Sequence, residues 1–339
     1  MSPIAHKPSW AEALRRFLGE YLPRHRGASP RTQESYATAL RLLTAPADVQ
    51  LASPADLTVD QVLAFLDGLE QRRKNGARTR NLRLAALRSF WNAMRLFDPH
   101  RRAHYERLLS IPFKRSARRS PDYLELDELR CVFSLPDART TQGFRDLTML
   151  RYFYNTGSRV SEVAEARTDW LCLTDRPEVT IRGKGGKWRV CPLWPTTAEM
   201  LRVYLRQERL SPAKGYEEFL FITRRGTSFE RRSLWKLVCG YLDRAAEMTP
   251  SLRHKRLTTH SLRHTTAVHL LRASVDIHVI KAWLGHADVS TTSQYLDLDL
   301  DKKREALERF LKLDIDRMVD GPKHLAPLPP NIVAWLERL

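Results

Sequence analysis

Apolar positions in the first hundred residues recur at intervals of three and four, the spacing that places side chains on one face of a helix. Ser9–Glu12 has the form of a capping box, and Ser29–Pro30 supplies a cap followed by a first-turn proline. Two further helices are expected over Thr58–Arg73 and Ala77–Phe97. The pattern therefore predicts a four-helix domain within residues 1–110.

The chain after residue 121 mixes helical spacing with one stretch of alternation. Residues 178–182 and 187–191 alternate between apolar and polar side chains, and Gly183–Gly186 separates them. This pattern predicts a β-hairpin with a flexible, cationic tip, and a short strand is expected at 219–222. Helices are expected at about Leu126–Ser134, Gln142–Asn155, Thr196–Glu208, Arg231–Glu247, Ser261–Ala273, Ile277–Leu284 and Asp288–Leu296. The predicted fold is mainly α with a small β-sheet: a helical N-terminal domain and an α+β second domain.

A basic linker is predicted at residues 111–121. Two prolines bracket this stretch, neither helical nor strand spacing runs through it, and it holds the cations Lys114, Arg115, Arg118 and Arg119. The second domain then spans 122–313 and is followed by a C-terminal tail at 314–339. Apolar positions near the end of the tail suggest a helix that docks on another subunit, although folding back on its own domain is an equal alternative.

The charge balance points to a polyanionic partner. Lys and Arg number 57 against 39 Asp and Glu, which leaves a formal charge of +18. Residues 1–121 hold 22 of the cations and 10 of the anions. Nucleic acid is the simplest partner for such a chain. Arg78, Arg80 and Arg83, in the fourth predicted helix, are expected to follow a phosphate backbone, although a solvated basic face would explain any one of them alone.

Several protein classes are not favoured. The four cysteines form no C-x-x-C pair, so we expect reduced thiols rather than a zinc site or disulfide framework. No apolar run approaches the roughly 18 residues of a membrane span, and the N-terminus lacks a signal-peptide core. We expect a cytoplasmic protein without a bound metal.

Candidate chemistry is concentrated between His260 and Tyr295. His260, Arg263, His286 and Tyr295 offer proton-transfer groups, a fixed cation and a hydroxyl nucleophile. Together these groups suit attack on a phosphodiester, with Tyr as the covalent nucleophile. His260 and His264 are four apart and would also suit zinc, but no acidic or thiol partner lies near them in the sequence.

Earlier segments supply partners for this chemistry. Arg159 and Glu162 are three apart and share one face of a short helix, which Ser158 is expected to cap. Lys184 lies at the hairpin tip.

In order and spacing, these residues resemble the tyrosine recombinase (phage integrase) family over about residues 122–310. Thr156–Glu162 resembles the first arginine box of the family, and Arg182–Lys187 resembles its lysine hairpin. His260–His264 and Leu284–His286, followed by Tyr295, resemble the second box. The first domain is similar in size and position to the core-binding domain of the family.

The resemblance implies a role for each residue. Arg159 and Arg263 would hold the non-bridging oxygens, while Tyr295 would form a 3′-phosphotyrosine and leave a free 5′-hydroxyl. His260 would be the base and Lys184 the acid, with Lys187 as an alternative acid. His286 would bond the phosphate, and Glu162 would orient Arg159 and His260. Because the covalent bond keeps the energy of the ester, neither a metal nor ATP nor any other cofactor is expected.

The implied partner is double-stranded DNA, held by a tetramer on two DNA sites, with accessory recombination proteins and a location at the nucleoid. Further DNA contacts are expected from Lys187 and Arg189 on the hairpin. An integrase or transposase of a mobile element is favoured over a chromosome-dimer resolvase because of the C-terminal tail. The alternatives are a type IB topoisomerase-like enzyme that nicks and reseals DNA, and a catalytically idle DNA-binding regulator or architectural protein.

Overall fold

The computed structural model describes residues 7–45, 52–116 and 122–285. The chain divides into two compact units, Met1–Arg118 and Arg119–Leu339.

Helices make up the described part of the first unit. The first helix begins as the α-helix α1 and continues as a π-helix over Arg15–His25. The α-helices are α1 (Trp10–Leu14), α2 (Pro30–Thr44), α3 (Val59–Gln71), α4 (Ala77–Phe97) and α5 (Arg102–Leu109). The capping box predicted at Ser9–Glu12 is present, and the Ser29 hydroxyl accepts a hydrogen bond from the backbone N–H of Thr32. The prediction of four helices was wrong, because α5 is a fifth.

One apolar core lies among these helices. Phe17, Leu66 and Phe90 are fully buried, and the rings of Phe17 and Phe90 meet edge to face at 5.2 Å between centroids. The helix α5 adds Tyr105 and Leu108 to this core. With only two buried residues in eight, its sequence gives a weak periodic signal.

The second unit contains α-helices and a small antiparallel sheet. The helices are α6 (Leu126–Ser134), α7 (Thr141–Thr156), α8 (Val160–Ala164), α9 (Pro195–Val203), α10 (Arg231–Met248), α11 (Thr259–Arg272) and α12 (Ile277–Leu284). The strands β1 (Leu171–Cys172), β2 (Glu178–Arg182) and β3 (Trp188–Pro192) pair in that order. The predicted strand at 219–222 was wrong, since only isolated bridges occur there, from Phe219 to Arg167 and from Ile222 to Ser228.

The predicted hairpin is formed by β2 and β3. Thr180 lies opposite Val190, and Arg182 lies opposite Trp188 at the end of the ladder. A 3-10 turn over Lys184–Gly186 joins the strands. Trp188 is half exposed, whereas Arg189 and Cys191 are buried, so β3 turns alternate side chains inward.

Asn155 joins three segments in the interior of this unit. Its side-chain N–H₂ donates to the carbonyl of Pro192 at 3.0 Å, and its side-chain oxygen accepts from the backbone N–H of Trp194 at 2.8 Å. Its own carbonyl accepts from Nε1 of Trp283 at 2.9 Å. The end of α7 is therefore fixed against β3 and α12.

Candidate active site

The first part of the site is the turn between α7 and α8. Gly157 ends α7 in the left-handed region, with φ +57°. An added Cβ there would lie 2.3 Å from Cδ2 of Leu284, so only glycine fits without a rearrangement. Arg159, rather than Ser158, is the N-cap of α8, and Ser158 instead accepts a hydrogen bond from the hydroxyl of Thr156 at 2.8 Å. The prediction of a Ser158 cap was wrong because the turn points its hydroxyl back toward α7.

Glu162 bridges two guanidinium groups in the interior. Its Oε1 accepts from Nη1 of Arg159 at 2.9 Å, and its Oε2 accepts from Nη2 of Arg189 at 2.7 Å. The Glu162 side chain is only 3% exposed. Burial by itself raises the pKa of this carboxyl, but the charges and hydrogen bonds of Arg189 and Arg159 outweigh burial and hold the pKa below its usual value. The group is therefore a carboxylate at neutral pH.

Arg189 belongs to this cluster and not to a DNA-facing surface. It is 6% exposed, and its Nε donates to the carbonyl of Trp283 at 3.0 Å. The prediction of a DNA contact from Arg189 was wrong, because β3 points this side chain inward beside Cys191. The alternation of β3 was the signal available in the sequence, since it places Arg189 on the inner face. Lys187, by contrast, is exposed.

Arg263 lies beneath the same turn. It is completely buried on α11, and its Nη1 and Nη2 donate to the carbonyls of Gly157 at 2.7 Å and Leu284 at 2.6 Å. Burial and the positive charges of Arg159 and Arg189 lower the pKa of Arg263 well below its ordinary value, while the Glu162 charge acts in the opposite direction. Arg159 and Arg189 thus share one carboxylate, and Arg263 lies close enough for the charges of all three groups to act on it.

Two histidines extend the site along α11. His260 is half buried in the first turn, and its ring meets the buried ring of His264 edge to face at 4.6 Å between centroids. An orienting contact from Glu162 to His260 stays a prediction. Within the described ranges, no group of three or more His, Cys, Asp and Glu side chains is arranged to hold a metal ion.

The base of the hairpin adjoins the charged cluster. The backbone N–H of Gly183 donates to the carbonyl of Lys187 at 2.7 Å, and a Cβ added to Gly183 would lie 3.7 Å from Oε1 of Glu162. The backbone of Lys184 follows directly in the 3-10 turn. Other predicted residues and segments lie outside the described residues: His286, Tyr295, Arg118, Arg119, the helix at Asp288–Leu296 and the tail at 314–339.

Comparison with protein families identifies the chain. Residues 122–302 match the phage integrase family, and residues 14–95 match the phage integrase N-terminal SAM-like domain. The chain belongs to the phage integrase family. It is a site-specific tyrosine recombinase, as the order of its two arginine boxes and lysine hairpin predicted.

Similar proteins cover most of this integrase-family chain. The Sinorhizobium fredii protein y4rC, whose name describes an integrase/recombinase, is 35% identical over 307 residues, covering 89% of this chain and 91% of its own. Tyrosine recombinase XerD of Listeria monocytogenes is 31% identical over 289 residues, covering 84% and 94%. The crystal structure of the XerH site-specific recombinase, bound to palindromic difH substrate in a post-cleavage complex, aligns with a TM-score of 0.64 at 20% identity. The alignment covers 87% of this chain and 82% of XerH, and it shows a shared fold.

The basic residues of the N-terminal unit of this recombinase differ in exposure. Arg78 and Arg115 are exposed, whereas Arg83 is partly buried. Nη1 of Arg83 donates to the carbonyl of Ser35 at 3.3 Å. Arg80 is only 6% exposed, so the prediction of a phosphate contact from it was wrong. It sits four residues before Leu84 on the buried face of α4. Lys114 is exposed but forms an ion pair with Glu70 at 2.6 Å.

No helix within the described ranges is long and apolar enough to cross a membrane.

Proposed function

We propose that this recombinase cuts and rejoins DNA strands through a covalent bond between Tyr295 and a 3′-phosphate. The observation that carries the proposal is the convergence of Arg159 and Arg263. The carbonyl that accepts from Arg263 belongs to Gly157, two residues before Arg159, so the two arginine boxes are packed against each other. Two guanidiniums can donate to both non-bridging oxygens of a phosphodiester and remain charged while they do so.

Arg159 is the more exposed of the two guanidiniums. Its side chain is 29% exposed, and Glu162 holds one of its donors while leaving others available. Arg263 is the second donor group, and the carbonyls of Gly157 and Leu284 fix its two terminal nitrogens. The negative charge that grows on the phosphate in the transition state is the target of these donors.

The remaining residues supply the nucleophile, the base and the acid of the reaction. The phenol oxygen of Tyr295 attacks the phosphorus as the bond to the 5′-oxygen breaks. His260 takes the phenol proton, and Lys184 supplies a proton to the leaving 5′-oxygen. His286 donates a hydrogen bond to the phosphate. Rejoining is the reverse attack by a 5′-hydroxyl, which needs neither ATP nor a metal because the phosphotyrosine keeps the energy of the ester.

Double-stranded DNA is the proposed partner, bound by four copies of the chain on two sites. Residues 1–110 would form the core-binding domain, 111–121 the linker along DNA, 122–313 the catalytic domain and 314–339 a segment that docks on a neighbouring subunit. Arg78, Arg115, Lys187 and the linker residues Arg118 and Arg119 would contact phosphates. We assign the chain to the integrase or transposase type, acting at the nucleoid with accessory recombination proteins.

A trapping assay tests the covalent step. The protein is incubated, in EDTA, with nicked DNA that carries the sequences flanking its gene, so that the strand segment bearing the 5′-hydroxyl is lost after cleavage. We expect a denaturation-resistant protein–DNA adduct from the wild type and none from Tyr295→Phe, which keeps the ring but lacks the nucleophile. Absence of an adduct from wild-type protein that binds these ends tightly would contradict the proposal.

Arg159→Lys and Arg263→Lys test the phosphate clamp in the same assay. Lysine keeps the charge but presents no planar fork, so we expect adduct formation to slow by about 100-fold or more in each. DNA affinity, measured in parallel, should change far less, because many other cations contact the backbone. Wild-type rates in both variants would show that these arginines do not act on the phosphate.

A further inference from the structure

Arg189 occupies a position where an apolar residue would be expected. Its neighbours on the inner face of the sheet are Cys191 on the same strand and Ile181 on β2, and both are at most 1% exposed. A buried guanidinium is tolerated only where its donors are satisfied, because desolvation of the charge is otherwise uncompensated. The hydrogen-bond partners of Arg189 therefore indicate why a charged residue is present there.

Those partners come from two segments of the site. Nη2 donates to Oε2 of Glu162 at 2.7 Å, with the hydroxyl of Ser158 at 3.4 Å, and Nε donates to the carbonyl of Trp283. The aliphatic part of the side chain lies so close to Gly285 that an added Cβ would be 2.9 Å from Cδ of Arg189. One side chain thus connects the first arginine box with the end of α12.

The hairpin is the third segment, because Arg189 is part of it. A Cβ added to Gly183, at the start of the hairpin turn, would lie 3.6 Å from Nη1 of Arg189. The guanidinium therefore sits between the hairpin base, the turn that carries Arg159 and the helix end that leads to His286 in the sequence.

The same helix end also holds Arg263. Nε of Arg189 donates to the carbonyl of Trp283, and Nη2 of Arg263 donates to the next carbonyl, that of Leu284. The last carbonyls of a helix lack partners within the helix, so two arginines from different elements complete this end of α12. A change in one arginine should shift the carbonyl that fixes the other.

We propose that Arg189 is a positioning residue for strand cleavage, which sets Arg159 through Glu162 and sets Arg263 through the end of α12. It does not itself touch DNA. This inference rests on the proposed function of the site, because its effect is read in the rate of phosphotyrosine formation. Glu162 bonds to the guanidiniums of both Arg159 and Arg189. If Arg189 were removed, only Arg159 of this pair would remain, and Glu162 would draw the Arg159 side chain away from the phosphate.

The matched control is Arg202. It also combines a carboxylate with backbone carbonyls, since Nη1 donates to Glu199 at 2.9 Å and Nη2 donates to the carbonyl of Leu173 at 2.9 Å. Both side chains therefore join separate segments of the second unit. Arg202 bonds to none of the site residues named above, and it is more exposed than Arg189, at 28% against 7% for the side chains.

The experiment measures single-turnover adduct formation on the trapping DNA at saturating protein, together with DNA affinity. We expect Arg189→Gln to slow cleavage by about 100-fold, the scale of a misplaced catalytic group, with affinity nearly unchanged. Arg202→Gln should stay within about threefold of the wild type. The double variant Glu162→Gln/Arg189→Gln should be no slower than the slower single variant, because Glu162 acts on Arg159, which the loss of Arg189 already disturbs.

A second substrate separates positioning from general loss of structure. A methylphosphonate at the scissile position carries no negative charge, so it places less demand on Arg159 and Arg263. On this DNA we therefore expect Arg189→Gln to slow adduct formation by only about tenfold relative to the wild type, because the positions of the Arg159 and Arg263 charges matter less. An equal deficit on both substrates would overturn the positioning role and indicate a purely structural one.

Arg189→Lys decides the matter if the glutamine variant does not fold. Lysine keeps the buried charge but cannot reach Glu162 and the carbonyl of Trp283 together, so cleavage should still slow while DNA affinity persists. Wild-type cleavage by this variant would overturn the proposal. Failure of the wild type to form any adduct would instead overturn the proposed function, and the positioning role with it.

Discussion

The turn at Gly157 is where backbone conformation and site geometry depend most closely on each other. Gly157→Ala places a methyl group 2.3 Å from Cδ2 of Leu284, which real contacts do not reach, so Leu284 or the turn must move. Alanine at φ +57° costs about 1 kcal/mol, and forced repacking of a buried leucine costs about 1–3 kcal/mol more. We expect a loss of about 2–4 kcal/mol in the free energy of unfolding of the second unit.

Activity should fall as well, for a specific reason. The carbonyls of Gly157 and Leu284 are the two acceptors that hold Arg263, so a shift at either disturbs both of its bonds. Adduct formation by the folded variant should slow by about tenfold or more. Denaturant titration followed by circular dichroism gives the stability, and the trapping assay gives the rate.

Gly215→Ala is the control for the backbone term alone. Gly215 has φ +87° and no atom within 4 Å of an added Cβ, so we expect a loss of only about 1 kcal/mol and no loss of rate. Equal losses in the free energy of unfolding from the two substitutions would refute the reasoning. They would show that Leu284 can move away from the added methyl group without destabilising the fold.

Two further predictions concern a buried histidine and a pair of arginines on α4. Burial, followed by the charge of Arg272, lowers the pKa of His269 to about 4. The unfolded chain binds a proton near pH 6.5 and the folded chain does not, so stability is lost as pH falls from 6.5 to 4, by about 3 kcal/mol in full. His269→Gln should remove that part of the pH dependence in urea titrations, and an unchanged profile would contradict it. In the first unit, Arg78→Gln should reduce by about one the slope of the logarithm of DNA affinity against the logarithm of salt concentration. Arg80→Gln should leave this slope unchanged and lower the stability of the unit, because Arg80 is buried. Equal slopes for the two variants would contradict this reasoning.

Local periodicity predicted most of the described elements. The helix at Leu126–Ser134 and the hairpin with its glycine-rich tip follow from side-chain spacing and turn residues, which act over a few positions. The same spacing contained information that a reading by charge alone missed. Arg80 precedes Leu84 by four positions and Leu87 by seven, which places it on the apolar stripe of α4. Arg189 alternates with the exposed Trp188 and shares a face with Cys191.

The partners of these buried cations could not be predicted in this way. Glu162 and Arg189 are brought together by the fold, and no local period relates a helix start to a position on a later strand. The carbonyls that hold Arg263 are equally invisible in a sequence, because every residue has one. The motifs indicated which residues matter, and the packing of α7, β3 and α12 determined which of them bear on one another.

The site holds more positive than negative charge, which lowers the stability of the fold but suits the binding of a phosphate. Arg159 and Arg189 donate to Glu162, and the pKa of Arg263 is lowered by burial and by the charges of these two guanidiniums. Like charges held together in a low-dielectric interior repel, so this cluster destabilises the fold in the absence of a further anion. A scissile phosphate would supply that anion, and still more so in the transition state, where its negative charge increases. We therefore expect the repulsion among these guanidiniums to favour the transition state over the ground state, which is the requirement for catalysis.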